Sequence, residues 1–462
     1  MDVIVDKLAD YACGLTYEAL PADVVERAKH LIIDAIGCAL GAAGAEPVRI
    51  AQSIAAETGS VAPGKAATTL VQGHATSPDM AAFVNGSMIR YLDFNDTYTG
   101  HGTVHPSDMV APALAVAEAF GLGGNELIVG TVLGYETLCA LTDDGIMEHP
   151  LYGVLWDQSA FAAVSAAAVA ARLMRLTRAQ AAHAITLAIT SHLSLCQVRV
   201  GEVSHWKGCA VANASRNAVF CARLAAKGMT GPVEVFEGER GFFKAAGKGM
   251  GPLAMGGPGQ PFRIMRARIK AYPSGYFSQS AIEAALELRP HIGSISEVQS
   301  VRLETFKGAL EIMGRGESRW TPETRESADH SLPFTIAMAL LHGDLEIRHY
   351  DEEEFRKTDV RALMQRIEVV LGEESERAWP AVPLNVLHLT LRNGQQLSAR
   401  VAFHVGHFER PMTDAQQQRK FEQLARRAAL PLAKTNRLLA ALRAVESAKD
   451  LRAIVAMTQA DS

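Results

Sequence analysis

Clustered cysteines are missing from this chain of 462 residues, which has only six cysteines in all. None of the six falls in a CxxC pair or in a spacing typical of a zinc site. Iron–sulfur enzymes need clustered cysteine ligands, so the spacing argues against that class. The neighbouring residues are mostly apolar or small, which favours buried free thiols at Cys13, Cys38, Cys139, Cys196, Cys209 and Cys221.

Long apolar runs and basic runs are also missing. The most apolar stretch, residues 159–174, is rich in alanine and too short to span a bilayer, so it predicts a buried helix. The stretch MDVIVDKLADYACGL at the N-terminus has early acidic residues and no long apolar core, unlike a signal peptide. The formal charge is −5, and no Lys/Arg-rich run points to nucleic acid or to a membrane surface. We therefore expect a cytoplasmic protein.

A nucleotide-binding loop is the third missing feature. The segment GKGMGPLAMGGPG, residues 247–259, is rich in glycine but lacks the phosphate-loop pattern GxxxxGK(S/T). It also lacks the strand before it and the helix after it that such a loop requires. Its composition instead predicts a linker from Gly249 to Pro261.

The hydrophobic pattern changes at that linker and predicts a mainly α fold with two domains. Residues 1–265 follow a helical pattern in which no alternating strand is evident. Residues 266–404 mix helices with strands, as in an α+β domain. Residues 405–462 return to the helical pattern, and we expect them to pack against the N-terminal helices.

The strands of the middle region carry the β-like alternation of apolar and polar residues. They are predicted at residues 296–305, 366–372 and 386–403. The last of these segments predicts a hairpin, in which Asn393 and Gly394 form a type I′ turn.

The most informative stretch runs from Tyr91 to Asp108, with the sequence YLDFNDTYTGHGTVHPSD. Glycines and a proline interrupt any helix here, so we expect a loop between two apolar helices, the first capped by Ser77 and the second by Ser107 or Asp108. A histidine titrates near neutral pH, and a nearby carboxylate can fix its tautomer, so the loop predicts acid–base chemistry. The alternative is that its acidic residues serve turns and its histidines are solvated. The groups concerned are Asp93, Asp96, Thr97, His101, His105 and Asp108.

This stretch resembles the signature of the MmgE/PrpD family. Further resemblance lies in HWKGCAVANASRNAVF, KAYPSGYFSQSAIEAAL, ESADHSLPFTIAMALL and GHFERPMTDAQQQRKF, which follow in the order of the family. The family includes 2-methylcitrate dehydratase, cis-aconitate decarboxylase and iminodisuccinate epimerase. The resemblance implies a large all-helical domain built from both chain ends and a smaller α+β lid. It also implies catalysis without a metal, nucleotide or organic cofactor.

The same resemblance implies which cationic and imidazole groups bind the substrate. Lys207 matches the active-site lysine of the family, although on local sequence alone it also fits a surface lysine that extends its ammonium to solvent. Lys270 lies in the motif at the edge of the lid, and Arg199 falls near an arginine of related sequences. His330, in the pair Asp329-His330, is either a second acid–base group or a structural hydrogen-bonding residue.

Two departures from the family pattern concern histidines. Relatives often have a histidine just before the alanine-rich helix, where this chain has Trp156 or Gln158, depending on register. Many relatives also have a histidine shortly after the proline of the lid motif, where this chain has Gly275, Tyr276 and Phe277. These replacements would make the pocket more apolar.

The resemblance therefore predicts a cofactor-independent lyase acting on a small polycarboxylate, most simply by dehydrating 2-methylcitrate or a similar hydroxy acid. The seven residues between Thr97 and His105 resemble the dehydratases more than the decarboxylases. Alternatives are a decarboxylase or epimerase of the same family, or a non-catalytic helical dimer that binds an anionic metabolite. A homodimer is expected.

The catalytic residues expected are His105, Asp93, Asp96 and Lys207. The substrate-binding residues expected are Thr97, Arg199, Lys270 and His330.

Overall fold

A computed structural model describes residues 2–58, 61–62, 65–144, 156–192, 194–199, 201, 203–246 and 249–460. The first half of the chain is mostly helical. Its helices are α1 Val3–Gly14, α2 Ala22–Gly41, α3 Glu46–Glu57, α4 Pro78–Tyr91, α5 Val110–Ala119, α6 Gly124–Asp144, α7 Ser159–Leu173, α8 Arg178–Thr190, α9 Trp206–Ala226 and α10 Phe242–Ala246.

Two short strand pairs interrupt these helices. They are β1 Ala67–Thr68 with β2 Ala75–Thr76, and β3 Tyr98–Thr99 with β4 Thr103–Val104, both antiparallel. The helical pattern of this half does not indicate these strands. Strands of two residues are too short to show alternation in the sequence, and the second pair lies inside the predicted loop.

The middle of the chain forms a four-stranded mixed sheet covered by helices. The strands are β5 Val298–Thr305, β6 Ile367–Leu371, β7 Asn385–Leu391 and β8 Gln396–Val401, in the spatial order β6-β5-β7-β8. Strand β5 pairs in parallel with β6 and antiparallel with β7. The helices are α11 Gln279–Leu288, α12 Lys307–Ala309, α13 Glu317–Trp320, α14 Arg325–Ala328, α15 Leu332–His342, α16 Ile347–Asp351, α17 Thr358–Met364 and α18 Glu373–Ala378.

The last helices return to the first half of the chain. They are α19 Asp414–Arg427, α20 Leu432–Arg443 and α21 Arg452–Met457. Their buried apolar side chains join one hydrophobic core with those of the N-terminal helices, whereas residues 276–401 supply a second core. The predicted mainly α fold with a smaller α+β region is confirmed. We call the region around the second core the lid; the predicted domain boundaries at 265 and 404 stay predictions.

Small residues allow α4 and α9 to approach each other closely, which matters for the position of the site. A Cβ atom added at Gly86 would lie 3.0 Å from Cβ of Ala212, and one added at Gly208 would lie 3.2 Å from Cα of Tyr91. Both distances are shorter than most Cβ contacts, so glycine at these two positions favours the close approach. The contact brings Lys207, at the start of α9, next to the loop that follows α4.

Local chemistry explains where α4 and α5 begin. The hydroxyl of Ser77 accepts a hydrogen bond from the backbone N–H of Met80, which confirms the predicted cap of α4. The predicted cap of α5 was wrong. Ser107 and Asp108 lie in a 3₁₀ helix, Pro106–Met109, that leads directly into α5, so neither side chain occupies the capping position.

The turn between β7 and β8 also differs from its prediction. Its closing bond runs from the N–H of Gly394 to the carbonyl of Leu391, and only Gly394 has a positive φ, of 88°. A type I′ turn needs positive φ at both central residues, and Asn393 does not have it. The hairpin therefore closes through a type I-like turn followed by a left-handed glycine.

The apolar helices are largely buried inside the protein. The alanine-rich helix α7 is buried along nearly its whole length, as predicted. In the part of the chain that the structure describes, no single helix is long and apolar enough to cross a bilayer. The pair α2 and α3, bent by 92°, meets that test only when the two are taken together.

Candidate active site

Asp93 is the centre of a buried cluster of charges behind α4. Its carboxylate oxygen Oδ1 accepts hydrogen bonds from Nη1 of Arg90 at 2.8 Å and from Nζ of Lys270 at 2.6 Å. The other oxygen, Oδ2, lies 3.2 Å from Nζ of Lys207 and 3.3 Å from Nε2 of His330. Burial alone would raise the pKa of Asp93, but Lys207, Lys270 and Arg90 outweigh it and hold that pKa well below its usual range.

The backbone of Asp93 is itself unusual. Its φ is +50°, in the left-handed region that non-glycine residues rarely adopt. Nζ of Lys270 also donates to the backbone carbonyl of Asp93 at 2.8 Å, so one ammonium holds both the main chain and the side chain of this residue. Such strained positions persist where surrounding contacts fix them, and they concentrate at functional sites.

The lid supplies a second carboxylate and an imidazole to this cluster. Nζ of Lys207 donates to Oδ1 of Asp329 at 2.8 Å and lies 3.0 Å from Nδ1 of His330, which is 2.5 Å from the same Asp329 oxygen. Burial, reinforced by the charge of Lys207, lowers the pKa of His330 to about 4. His330 is therefore a neutral imidazole at pH 7, and Lys207 links the helical region to the lid.

The charges in this cluster do not cancel. Three cations, Arg90, Lys207 and Lys270, face two carboxylates, Asp93 and Asp329, which leaves one positive charge in excess. Buried charge is costly unless a partner neutralises it. The cluster is therefore suited to an anionic ligand.

His105 lies in the same loop with one ring nitrogen held by the backbone. Nδ1 is 2.7 Å from the carbonyl oxygen of Asp96 and 3.3 Å from Oγ1 of Thr97. A carbonyl only accepts, so Nδ1 carries the proton and Nε2 carries the lone pair. Burial, with the nearby charges of Arg90 and Lys270, holds the pKa of His105 well below its usual range. His105 is thus a neutral imidazole that can accept a proton at Nε2.

The carboxylate of Asp96 is occupied elsewhere. It accepts hydrogen bonds from the backbone N–H of Ser107 at 3.0 Å and from the hydroxyl of Tyr135 at 2.7 Å. Asp96 therefore orients His105 through its main-chain carbonyl, whereas the sequence pointed to a side-chain carboxylate. Thr97 is fully buried beside His105, so its hydroxyl supports the imidazole.

Arg199 has a carboxylate partner of its own. Its Nε lies 2.5 Å from Oδ2 of Asp157, and Nη2 lies 3.4 Å from Oδ1. Burial would raise the pKa of Asp157, but Arg199 outweighs it and lowers that pKa below its ordinary value. The pair is close to neutral, so Arg199 offers less charge to a ligand than Lys207 does.

A cavity of about 800 Å³ lies between the helical region and the lid and reaches this cluster. Asp96, Thr97 and Lys270 stand behind its wall, whereas the other predicted site residues line it. From the helical region it is lined by Arg90, Asp93, His105, Trp156, Asp157, Gln158, Arg199 and Lys207, among others. From the lid it is lined by Gly275, Tyr276, Phe277, Met313, Arg315 and His330, among others. The residues that replace the two family histidines thus face the cavity.

Arg90 lines the cavity and contacts Asp93, although the sequence pattern did not predict it as a site residue. It is fully buried, and its guanidinium donates to Asp93. The signal was its position three residues before Asp93, because residues three apart share a face at the end of a helix. In the sequence Arg90 falls at the end of an apolar helix, a position that does not by itself indicate a site residue.

Two groups of residues in the described part of the chain bring three metal-ligand atoms together. Asp93, Asp329 and His330 form the first, but their charge is already met by lysine ammonium groups, which would repel a cation. His342, His349 and Glu354 form the second. There the backbone N–H of Glu346 donates to Nδ1 of His349, which places the proton on Nε2, the atom a metal would need. Neither group fits a metal ion.

Comparison with known proteins agrees with this arrangement. The model of the MmgE/PrpD N-terminal domain matches residues 6–252, and that of the MmgE/PrpD C-terminal domain matches residues 272–444. A 2-methylcitrate dehydratase from Cupriavidus necator is 28% identical over 433 residues, covering 88% of this chain and 86% of that protein. A 2-methylcitrate dehydratase from Salmonella typhimurium is 27% identical over 389 residues, covering 79% and 76%. The cis-aconitate decarboxylase of Homo sapiens is 23% identical over 436 residues, covering 90% and 87%. With both domain models matched along most of its length, and with four of the five family motifs contributing residues to one cavity, this chain belongs to the MmgE/PrpD family.

Proposed function

We propose that this protein is a cofactor-independent hydro-lyase that dehydrates a small hydroxy polycarboxylate, 2-methylcitrate or a close analogue. The observation that carries the proposal is the pairing, on one cavity wall, of a neutral His105 with a cluster that has one positive charge in excess. A base and a carboxylate-binding group are what removal of a proton next to a carboxylate requires.

Arg90 and Lys207 bind the substrate carboxylates. Both line the cavity, and an arginine can hold a carboxylate through two parallel hydrogen bonds. Their positive charge also stabilises the negative charge that develops when the neighbouring carbon loses its proton. Lys270 acts from behind the wall by holding Asp93 in place.

His105 removes the carbon-bound proton with Nε2, and the carbonyl of Asp96 stabilises the resulting imidazolium through Nδ1–H. The departing hydroxyl leaves as water, with a proton from the ammonium of Lys207, and the electron pair of the broken C–H bond forms the alkene. His330 and Asp329, which contact Lys207, hold it in position.

Two features favour dehydration over decarboxylation. They are the length of the loop between Thr97 and His105 and the apolar side chains that line the cavity. Relatives of both kinds are similar to this chain, so family membership alone leaves both reactions open. Seven residues separate Thr97 from His105, a length that resembles the dehydratases of the family. Trp156, Tyr276 and Phe277 line the cavity and suit a substrate with an alkyl branch. Decarboxylation of cis-aconitate is the second candidate, because it needs the same cationic wall. A cytoplasmic location stays a prediction.

A substrate panel tests the proposal. The purified protein is incubated separately with 2-methylcitrate, citrate and cis-aconitate, and the products are followed by NMR. An alkene formed from 2-methylcitrate supports the proposal. Carbon dioxide and itaconate formed from cis-aconitate, with no alkene from either hydroxy acid, would favour the decarboxylase. No product from any of the three would favour a protein that only binds an anionic metabolite.

A further inference from the structure

Lys420, on the C-terminal helix α19, lies buried directly behind the active-site loop. Its Nζ donates to the backbone carbonyl of Phe94 at 2.8 Å and to that of Lys270 at 2.9 Å, and it pairs with Oδ1 of Asp34 at 2.6 Å. The same nitrogen stands 3.9 Å from the centre of the Phe94 ring. The two carbonyls accept its hydrogen bonds, and the contact with Asp34 is an ion pair.

The two carbonyls that Lys420 binds belong to the two segments that build the charge cluster. Phe94 directly follows Asp93, whose left-handed backbone needs external support. Lys270 is the residue whose side chain holds the Asp93 carboxylate. Lys420 thus joins the segments from one side, and the ammonium of Lys270 joins them from the other.

This arrangement exceeds what a simple ion pair would require. Asp34 alone could pair with Lys420 in any orientation that brings the two charges together. The additional bonds to the carbonyls of Phe94 and Lys270 fix the direction of two peptide groups. These segments also exchange backbone hydrogen bonds between Thr97 and Arg268, at 2.8 Å in both directions.

We infer that Lys420 is a positioning residue, which sets the distance between Asp93 and Lys270 and thereby the geometry of the substrate-binding cations. The inference rests on the proposed lyase function for its catalytic consequence. Lys420 does not line the cavity, so it acts on the reaction only through the residues that it holds. A displacement of a catalytic group by about 1 Å can cost on the order of a hundredfold in rate.

The test separates positioning from charge pairing by removing first the cation and then both charges. Lys420→Met leaves Asp34 buried without a partner, and we expect lower thermal stability and a lower kcat/KM. Lys420→Met combined with Asp34→Asn removes the uncompensated charge, so stability should recover while kcat/KM stays about ten- to a hundredfold low. Lys29→Met is the matched control, because Lys29 is equally buried but pairs with Glu26 and Glu446.

Hydrogen exchange supplies a readout that needs no substrate. Amides in residues 94–99 and 268–271 should exchange faster in the double variant than in the wild type, and at the wild-type rate in Lys29→Met. Recovery of kcat/KM together with stability in the double variant would overturn the inference, as would unchanged exchange in both segments. If the wild-type protein turns over none of the proposed substrates, the proposed function fails, and the exchange measurement alone decides whether Lys420 holds the two segments.

Discussion

At His105, a single hydrogen bond decides which ring nitrogen can accept a proton. The carbonyl of Asp96 accepts from Nδ1, so the lone pair stands on Nε2. Burial keeps the ring neutral by holding its pKa well below the usual range. A neutral base is therefore available at and below pH 7, where a solvent-exposed histidine would already be half protonated near pH 6.5.

Replacement of His105 by Ala should remove most of the activity and leave the fold intact. The expected loss in kcat/KM is roughly a hundred- to ten-thousand-fold, the usual contribution of an acid–base group. His101→Ala is the matched control, because His101 lies in the same loop but is exposed. Steady-state kinetics and circular dichroism of both variants check the prediction. Equal activity in the two variants would show that His105 is not the base.

Lys270 should impose an upper pH limit on activity. Burial lowers its pKa from 10.5 to about 8, although Asp93 opposes this. Above that pH the ammonium loses a proton, the cluster loses its excess positive charge, and Asp93 loses one of its partners. We expect kcat/KM to fall as the pH rises through about 8.

Arginine keeps its charge throughout this range, so Lys270→Arg separates charge from shape. A variant that retains some activity should no longer show the fall near pH 8. A wild-type profile that stays level up to pH 10 would contradict the assignment.

The groups that meet around Asp93 could be named from the sequence, but their roles could not all be assigned. The family resemblance assigned Asp93, Lys207, Lys270 and His330 to one site, and the structure brings the polar ends of these side chains together. The sequence could not show that Asp96 holds His105 through its backbone carbonyl. The conformation of the loop decides whether a side-chain oxygen or a peptide oxygen faces the imidazole.

Among the elements of secondary structure, the long helices and the strands of the lid follow the sequence pattern closely. Strand β5, predicted at 296–305, spans Val298–Thr305, and β6, predicted at 366–372, spans Ile367–Leu371. The alternation of apolar and polar residues does not predict the short strand pairs, such as β3 with β4. Their pairing depends on tertiary contacts beyond the local sequence. The sequence pattern also fails at Asn393, whose φ follows from the length of the hairpin loop.

Two glycines with positive φ differ in the space around them, and Gly406 shows how closely the segment before α19 packs against Ile269 of the helical region. Gly406 has φ +91°, and a Cβ there would lie 2.0 Å from the carbonyl oxygen of Ile269. Gly394 has φ +88°, with nothing within 4 Å of such a Cβ. Gly394→Ala should cost about 1–2 kcal/mol of stability, because left-handed backbone disfavours a side chain. Gly406→Ala should cost a further ~1–3 kcal/mol, because the methyl group also has no room.

Denaturant unfolding of both variants measures the difference between these costs. Gly394→Ala is the control, because it measures the free-energy cost of the left-handed backbone alone. Equal free energies of unfolding for Gly394→Ala and Gly406→Ala would mean that the segment at Gly406 does not dock closely against Ile269.

For the whole molecule, we propose a homodimer formed through the helical region, which leaves the lid free to move. Ile50 and Ile54 on α3 and Trp206 on α9 are exposed apolar side chains of that region. Light scattering at micromolar concentration should give the mass of a dimer. The double variant Ile50→Glu with Ile54→Glu should shift the protein toward monomer, whereas Leu371→Glu, an exposed apolar position of the lid, should not. A wild-type protein that is monomeric at these concentrations would contradict the proposal.

We propose that the residues around Asp93 and His105 carry out dehydration without a metal or an organic cofactor. The most direct measurement is the turnover of 2-methylcitrate after exhaustive chelation and dialysis, followed by NMR of the alkene product. We predict that alkene forms at the same rate before and after this treatment. Loss of turnover that added iron or magnesium then restores would show that a metal ion takes part in the reaction.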